Sequence, residues 1–405
     1  MKTLKLFIPI VIFLFISIFS CSSDDQENLN SDNNNNASNA IPLECDINED
    51  VTLMNHSEGI DYVIDCNLEI NAIVTIEPGT TFIFKSDGSM YVNDDGALSA
   101  IGTDTNPIIF QGEEPVAGFW RGIGFESNDV RNELNHVIVT DAGSSPINST
   151  WVNQKVAVVI YKTTTTGKLT IKNTTIENTD GIGLLVMNNI TGTSIADLRN
   201  FENNTFNNNI GQAVRLSAKH VQKIDANSTY TNNGFDGISI RESKLNDNTN
   251  HVWQGLNYKI DGEIEVEKGL SILPGAHLEF TPNGFMSIDG DNAYLNAEGS
   301  IFTGEVNIPG SWKGLYYFDT NNTQNRLSNC EISYGGSDSH NFVSNRANIT
   351  IFHGSRLTVN NCTISNSGGC GIVVGTSNSG WDQCIFNGNS NSYNSIASNN
   401  ICDEG

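Results

Sequence analysis

The sequence predicts a parallel β-helix made of two tandem copies of one module, and three observations carry that prediction. The first is composition. Asn occurs 56 times and Gly 37 times in 405 residues, while only 17% of residues are charged. Such a chain is rich in turn formers and poor in helix formers. The second is a short repeat of roughly 20–32 residues, the spacing of stacked coils. The third is a long repeat, in which matching segments recur at an offset that shrinks from 196 to 180. Shrinkage of that kind follows when insertions fall in loops.

Residues 1–20 read as an export signal. Lys2 and Lys5 precede an apolar run at residues 6–19, interrupted by Pro9 and Ser17. That run is short for a membrane span, which needs about 20 residues, and suits a signal-peptide core. Ile18-Phe19-Ser20-Cys21 resembles a bacterial lipobox, which implies that Cys21 is acylated and starts the mature chain. Residues 21–40 contain Ser22-Ser23-Asp24-Asp25 and the run Asn33-Asn34-Asn35-Asn36. They are nearly devoid of apolar side chains and read as a flexible tether. The acidic run after Cys21 is similar to the surface-export signal of Bacteroidetes lipoproteins. The resemblance implies a lipid-anchored outer-membrane protein whose folded part faces outward. The plainer readings are a cleaved signal with a chance cysteine and a solvated linker.

Module 1 is placed at 41–250 and module 2, the shorter copy without the coils of 208–250, at 251–405. Ile76-Glu77-Pro78-Gly79 returns as Ile272-Leu273-Pro274-Gly275, and Phe84 as Phe280. Gly118-Phe119-Trp120-Arg121-Gly122-Ile123 returns as Gly310-Ser311-Trp312-Lys313-Gly314-Leu315. Residues 134–143 match 327–336, 169–173 match 357–361, and 201–206 match 381–386. The short unit is clearest at Thr174-Thr175-Ile176-Glu177-Asn178 and Cys362-Thr363-Ile364-Ser365-Asn366, each followed by a Gly and an apolar strand. Period-2 strands between Asn/Gly turns cannot bury their own apolar side, so they must stack. Asn178, Asn209, Asn233 and Asn366 are expected to form a ladder of turn amides.

Residues 74–84, 96–103 and 107–110 resemble the opening coils of right-handed parallel β-helix repeat proteins of bacterial surfaces, and Gly118 to Ile123 their next coil. That family implies the fold. It implies little about function, since the same fold serves lyases, hydrolases and adhesins.

Cys45 and Cys66 flank the start of module 1 and are placed for a disulfide closing its open end, which an exported location permits. Cys330, Cys362 and Cys384 recur two residues before Ile332, Ile364 and Phe386, so alternation turns them inward. Stacked about 4.8 Å apart they are near bridging distance; packing as small hydrophobes is the plainer reading. Cys370 aligns with Ile182 and reads as inward too. With no CxxC and no His beside this column, zinc is not expected.

Signals for chemistry are sparse. Asn178-Thr179-Asp180-Gly181 is similar to the first catalytic motif of polygalacturonase-type glycosidases, which implies Asp180 as a catalytic carboxyl. The family's remaining motifs are missing, and the duplicate Asn366-Ser367-Gly368-Gly369 carries no acid, so a coil turn is the plainer reading. Asp94, Asp95, Asp289 and Asp291 sit in equivalent turns and offer hard oxygen ligands for Ca²⁺, as a pectate-lyase-like mechanism would need. Arg121 and Lys313 follow Trp120 and Trp312; with the Trp inward, the base faces outward, where it could meet an anionic glycan. Trp151, Trp253, Tyr316, Tyr317 and Tyr393 could stack on sugar rings if exposed. His136, His220 and His251 read as scattered surface residues.

Acids outnumber bases 46 to 21, a formal charge of −25 that removal of residues 1–20 makes −27. Phosphate affinity comes from clustered Lys and Arg, so nucleic acid is not an expected partner. No acid–base pair recurs with the duplication. The expectation is therefore a non-catalytic binding or adhesion module for extended polysaccharide. The alternatives are a polysaccharide lyase or glycoside hydrolase, and a passive envelope protein.

Overall fold

The computed structural model describes residues 40–56, 59–150, 152–161, 166–187, 196–339, 343–376 and 383–404. Cys21, the signal, the tether up to residue 39 and Trp151 lie outside the described residues. The described chain is a parallel β-helix. Each coil visits three faces in turn, as in Tyr62–Ile64, Asn67–Ile70 and Ile73–Ile76, and every paired strand runs parallel to its neighbours in the coils before and after. Alternation sends one set of side chains into the tube. On the second face this set is Leu68, Met90, Ile123, Val158, Leu184, Val214 and Ile238, each aligned with the next and all buried. One such residue contributes about 1.5–3 kcal/mol by burial, and the cover comes from the coils above and below together with the other faces of the same coil.

The duplicated positions make the same contacts twice. Trp120 stacks on Phe84 at 3.9 Å and 13°, and Trp312 on Phe280 at 4.0 Å and 12°. Each indole Nε1 donates to a carbonyl at 2.7 Å, that of Thr140 or Ser333. Gly122 and Gly314 both hold φ +124°. A side chain at either would meet carbonyl oxygens of the next coil at 2.5–2.6 Å, so this corner accepts only glycine.

Between the copies the faces shift. The first-face sheet ends on Thr229–Thr231. The 11-residue strand Phe235–Leu245 then pairs twice with Asn257–Val266, through Ile238↔Tyr258 and through Ser243↔Ile264. The latter strand in turn pairs with His277–Phe280 and with Phe285–Asp289. The long sheet therefore forks here; it does not close into a barrel. A one-turn helix, Ala218–Val221, stands between the third-face strands Ala196–Glu202 and His251–Trp253 in chain order.

The turn ladder differs in register from the expected one. Asn178 and Asn366 occupy left-handed backbone positions with Asn208 and Asn232. Asn209 and Asn233 lie one residue further on, and Asn209 Nδ2 donates to Asn233 Oδ1 (2.8 Å) and to the Ile176 carbonyl (3.1 Å). Two adjacent columns thus replace one. Asn is favoured in the first because it tolerates φ > 0, and in the second because its amide satisfies buried carbonyls.

Disulfides join Cys45 to Cys66 and Cys370 to Cys402, with Cα atoms 6.0 and 6.1 Å apart. Cys330, Cys362 and Cys384 are buried thiols. A hydrogen bond with Cys362, then burial, holds the Cys330 thiol well above its ordinary range, and burial raises Cys384. Cys370 and Ile182 are buried, but in small clusters outside the main core. His220 and His251 are buried rather than superficial, and His251 Nε2 meets Asp247 at 2.9 Å.

Candidate functional site

The outer side of the second face is where the structure gathers polar side chains. In the first copy its outward column runs Glu69, Tyr91, Gly124, Val159, Leu185. The apolar end needs cover. Residues 145–150 and Val152 provide it: Ile147 and Val152 cluster with Val159, Tyr161 and Leu185. The Tyr91 hydroxyl donates to the Ile147 carbonyl, and Asn148 forms an antiparallel bridge with Val152. Gly124 makes room, since a side chain there would meet Ile147 and Tyr161 at 3.0–3.1 Å.

Where the loop stops, the polar end of the column is left open as a pocket of about 560 Å³. Its wall includes Asn67, Glu69, Asn93, Arg121, Glu126 and Tyr161. Asn93 Nδ2 donates to Glu69 Oε2 (2.6 Å) and Asn71 Oδ1 (2.9 Å), which fixes that carboxylate. Burial pushes the Tyr161 hydroxyl up, with Glu126 adding to the shift, so it stays protonated. Arg121 faces outward, opposite the buried Trp120. Its Nε is buried with no acceptor.

In the second copy the equivalent positions are Glu263, Glu265, Asp289 and Lys313, where the first has Asn67, Glu69, Asn93 and Arg121. Tyr316 replaces Gly124 and fills the space, edge-on to Phe285 at 5.6 Å. Lys313 is spent over the Phe285 ring, 4.7 Å from its centroid. The opening moves along to a pocket of about 400 Å³ that includes Glu265, Glu267, Lys268, Asp289 and Asp291. Burial, then Asp319 and Glu265, raise the Asp289 carboxyl; burial, then Glu265, raise Glu267. Lys244 pairs with Glu265 and lies 3.8 Å from Glu267, and His353 pairs with Asp319.

The other sequence candidates are scattered. Asp180 is bound to Lys155 at 2.6 Å, and its backbone N–H donates to the Ala142 carbonyl. Asp94 and Asp95 are exposed in a turn, as is Asp291, while Asp289 is half-buried. Among the described residues, the group of three metal-ligand side chains within one coordination distance is Cys45, Asp65 and Cys66, and its two sulfurs form a disulfide. Trp253, Tyr316 and Tyr317 are buried and Tyr393 half-buried, so they offer no sugar platform. His136 meets Asp104 at 2.9 Å. The sequence reading passed over Asn67, Glu69 and Glu126. Stacking of outward positions could have suggested Glu69 beside Tyr91. The fold of residues 145–149, which line the pocket, has no periodic signal.

No family model matches the chain, and no curated protein matches it. Among solved structures, the chain is similar to one described as the crystal structure of the Agl-KA catalytic domain. The identity is 14% and the TM-score 0.38, over 82% of this chain and 62% of that one, so this chain spans less than two thirds of its length.

Proposed function

We propose that the protein is a lipid-anchored surface protein of the outer membrane that binds an extended polysaccharide without cleaving it. One observation carries the reading: both copies leave an open polar pocket on the outer side of the second face. A polymer lying across the open coils would meet side chains of neighbouring strands about 4.8 Å apart. The anchor reading comes from the sequence around Cys21. A hydrolytic reading draws on Glu267 and Asp289, whose raised carboxyls suit proton donation.

One experiment separates the two. The full chain is incubated with a panel of neutral and acidic polysaccharides, and bound polymer, reducing ends and unsaturated products are read together. Binding with no product is the expected result. Product that disappears in Asp289→Asn would establish the hydrolytic reading in its place. Loss of membrane association in Cys21→Ser tests the anchor.

A further inference from the structure

We propose that the pocket of about 560 Å³ beside residues 145–149 is a subsite for one ring of a neutral sugar, held through its hydroxyls by Arg121, Glu69 and Glu126. The inference rests on the polysaccharide-binding reading and narrows it to uncharged chains. The volume lies within the ~300–1,000 Å³ typical of small-molecule sites.

The donor set selects the ligand. A guanidinium only donates hydrogen bonds, and an ionised carboxylate only accepts them. A ligand that answers both from neighbouring atoms must donate and accept, which is what a hydroxyl does. Arg121 lines the pocket, and within the protein its buried Nε has no acceptor. Glu69 is steadied by Asn93, leaving lone pairs for a ligand. Tyr91, half-buried, adds ring surface at the wall.

Charge decides against an acidic sugar. The pocket wall carries one base against two glutamates, and the chain as a whole carries −25. The second pocket is more acidic still, with Glu265, Glu267, Asp289 and Asp291 against Lys268. A polyuronide would be repelled at either pocket, and the summed field would slow its approach. Lys313, the counterpart of Arg121, is committed to Phe285 and offers no second cationic anchor. A neutral glycan incurs none of this cost.

The test titrates the full chain with neutral hexasaccharides (β-glucan, mannan and xylan types) and with a galacturonate hexasaccharide. Expected is binding of at least one neutral probe, with affinity changing less than about twofold between low salt and about 0.5 M. The galacturonate probe should bind at least about tenfold more weakly at low salt. Arg121→Gln and Glu126→Gln should each weaken the neutral probe about tenfold, the scale of a lost hydrogen bond to a charged group. Unchanged melting temperatures exclude misfolding. Tighter, salt-sensitive binding of galacturonate overturns the inference while leaving polysaccharide binding intact. So does neutral binding that survives both substitutions, or that responds to Lys313→Gln instead. If neither class of probe binds, the inference and the reading beneath it fall together.

Discussion

At the residue scale, two side chains show how position sets the role of a residue type. Asn208 holds φ +55° and is exposed, whereas Asn209 is buried and bonded. Asn208→Ala should cost about 1–2 kcal/mol from the left-handed backbone alone, and Asn208→Gly should be close to neutral. Denaturant titration of the two variants checks this. His220 is the second case. Burial pushes it down to about 4 from 6.5; Asp197 opposes the shift, and Lys223 and Lys219 add to it. Ser217 Oγ lies 3.3 Å from its Nδ1. Its folded value lies below the unfolded one, so the unfolded chain takes up the proton first. The stability it contributes is complete above pH 6.5 and is lost as pH falls toward 4. The shift corresponds to about 3 kcal/mol. His220→Gln should flatten that limb of a melting-temperature profile. The sequence displayed this histidine and its neighbours, but its burial depends on the short helix Ala218–Val221 packing on Phe235–Leu245.

At the element scale, the unit that must be held is the terminal coil, which has a stacking partner on one side only. The two disulfides sit at the two ends of the described helix. Cys45–Cys66 ties the strand beginning Asp46 to the one beginning Asn67, and Cys370–Cys402 ties the last two second-face strands. Glu404 adds to the second end, accepting from the backbone of Ser344 and the side chain of Asn345. Removing either bridge should cost about 3–4 kcal/mol locally, the chain-entropy value for loops of these lengths. Hydrogen exchange is the measurement. Cys45→Ser/Cys66→Ser should speed exchange at residues 41–53, and Cys370→Ser/Cys402→Ser at 385–404, with 82–125 unchanged. The first pair could be proposed from sequence because both cysteines flank one module boundary. The second could not, because Cys370 shares its alignment with Ile182 and so resembles an ordinary apolar position.

At the scale of the whole molecule, stability is close to a sum over neighbouring coils. Trp312→Ala should remove about 3–5 kcal/mol at one point. Coils around 280–334 should then melt before those around 84–140, giving two denaturant transitions where the parent is broader and single. Trp120→Ala should reverse the order. The sequence by itself determined that the chain winds into stacked parallel coils, that Trp120 and Trp312 fill equivalent corners, and that Asn occupies the turns. Those features are local and periodic, and repetition multiplies each signal. The tertiary structure alone decided which outward face is left open. A loop must fold back over Val159 and Leu185 in one copy, while Tyr316 fills the matching space in the other. Such contacts join residues far apart in the chain. They follow from shape and from what remains uncovered, and neither property has a period that a sequence can display.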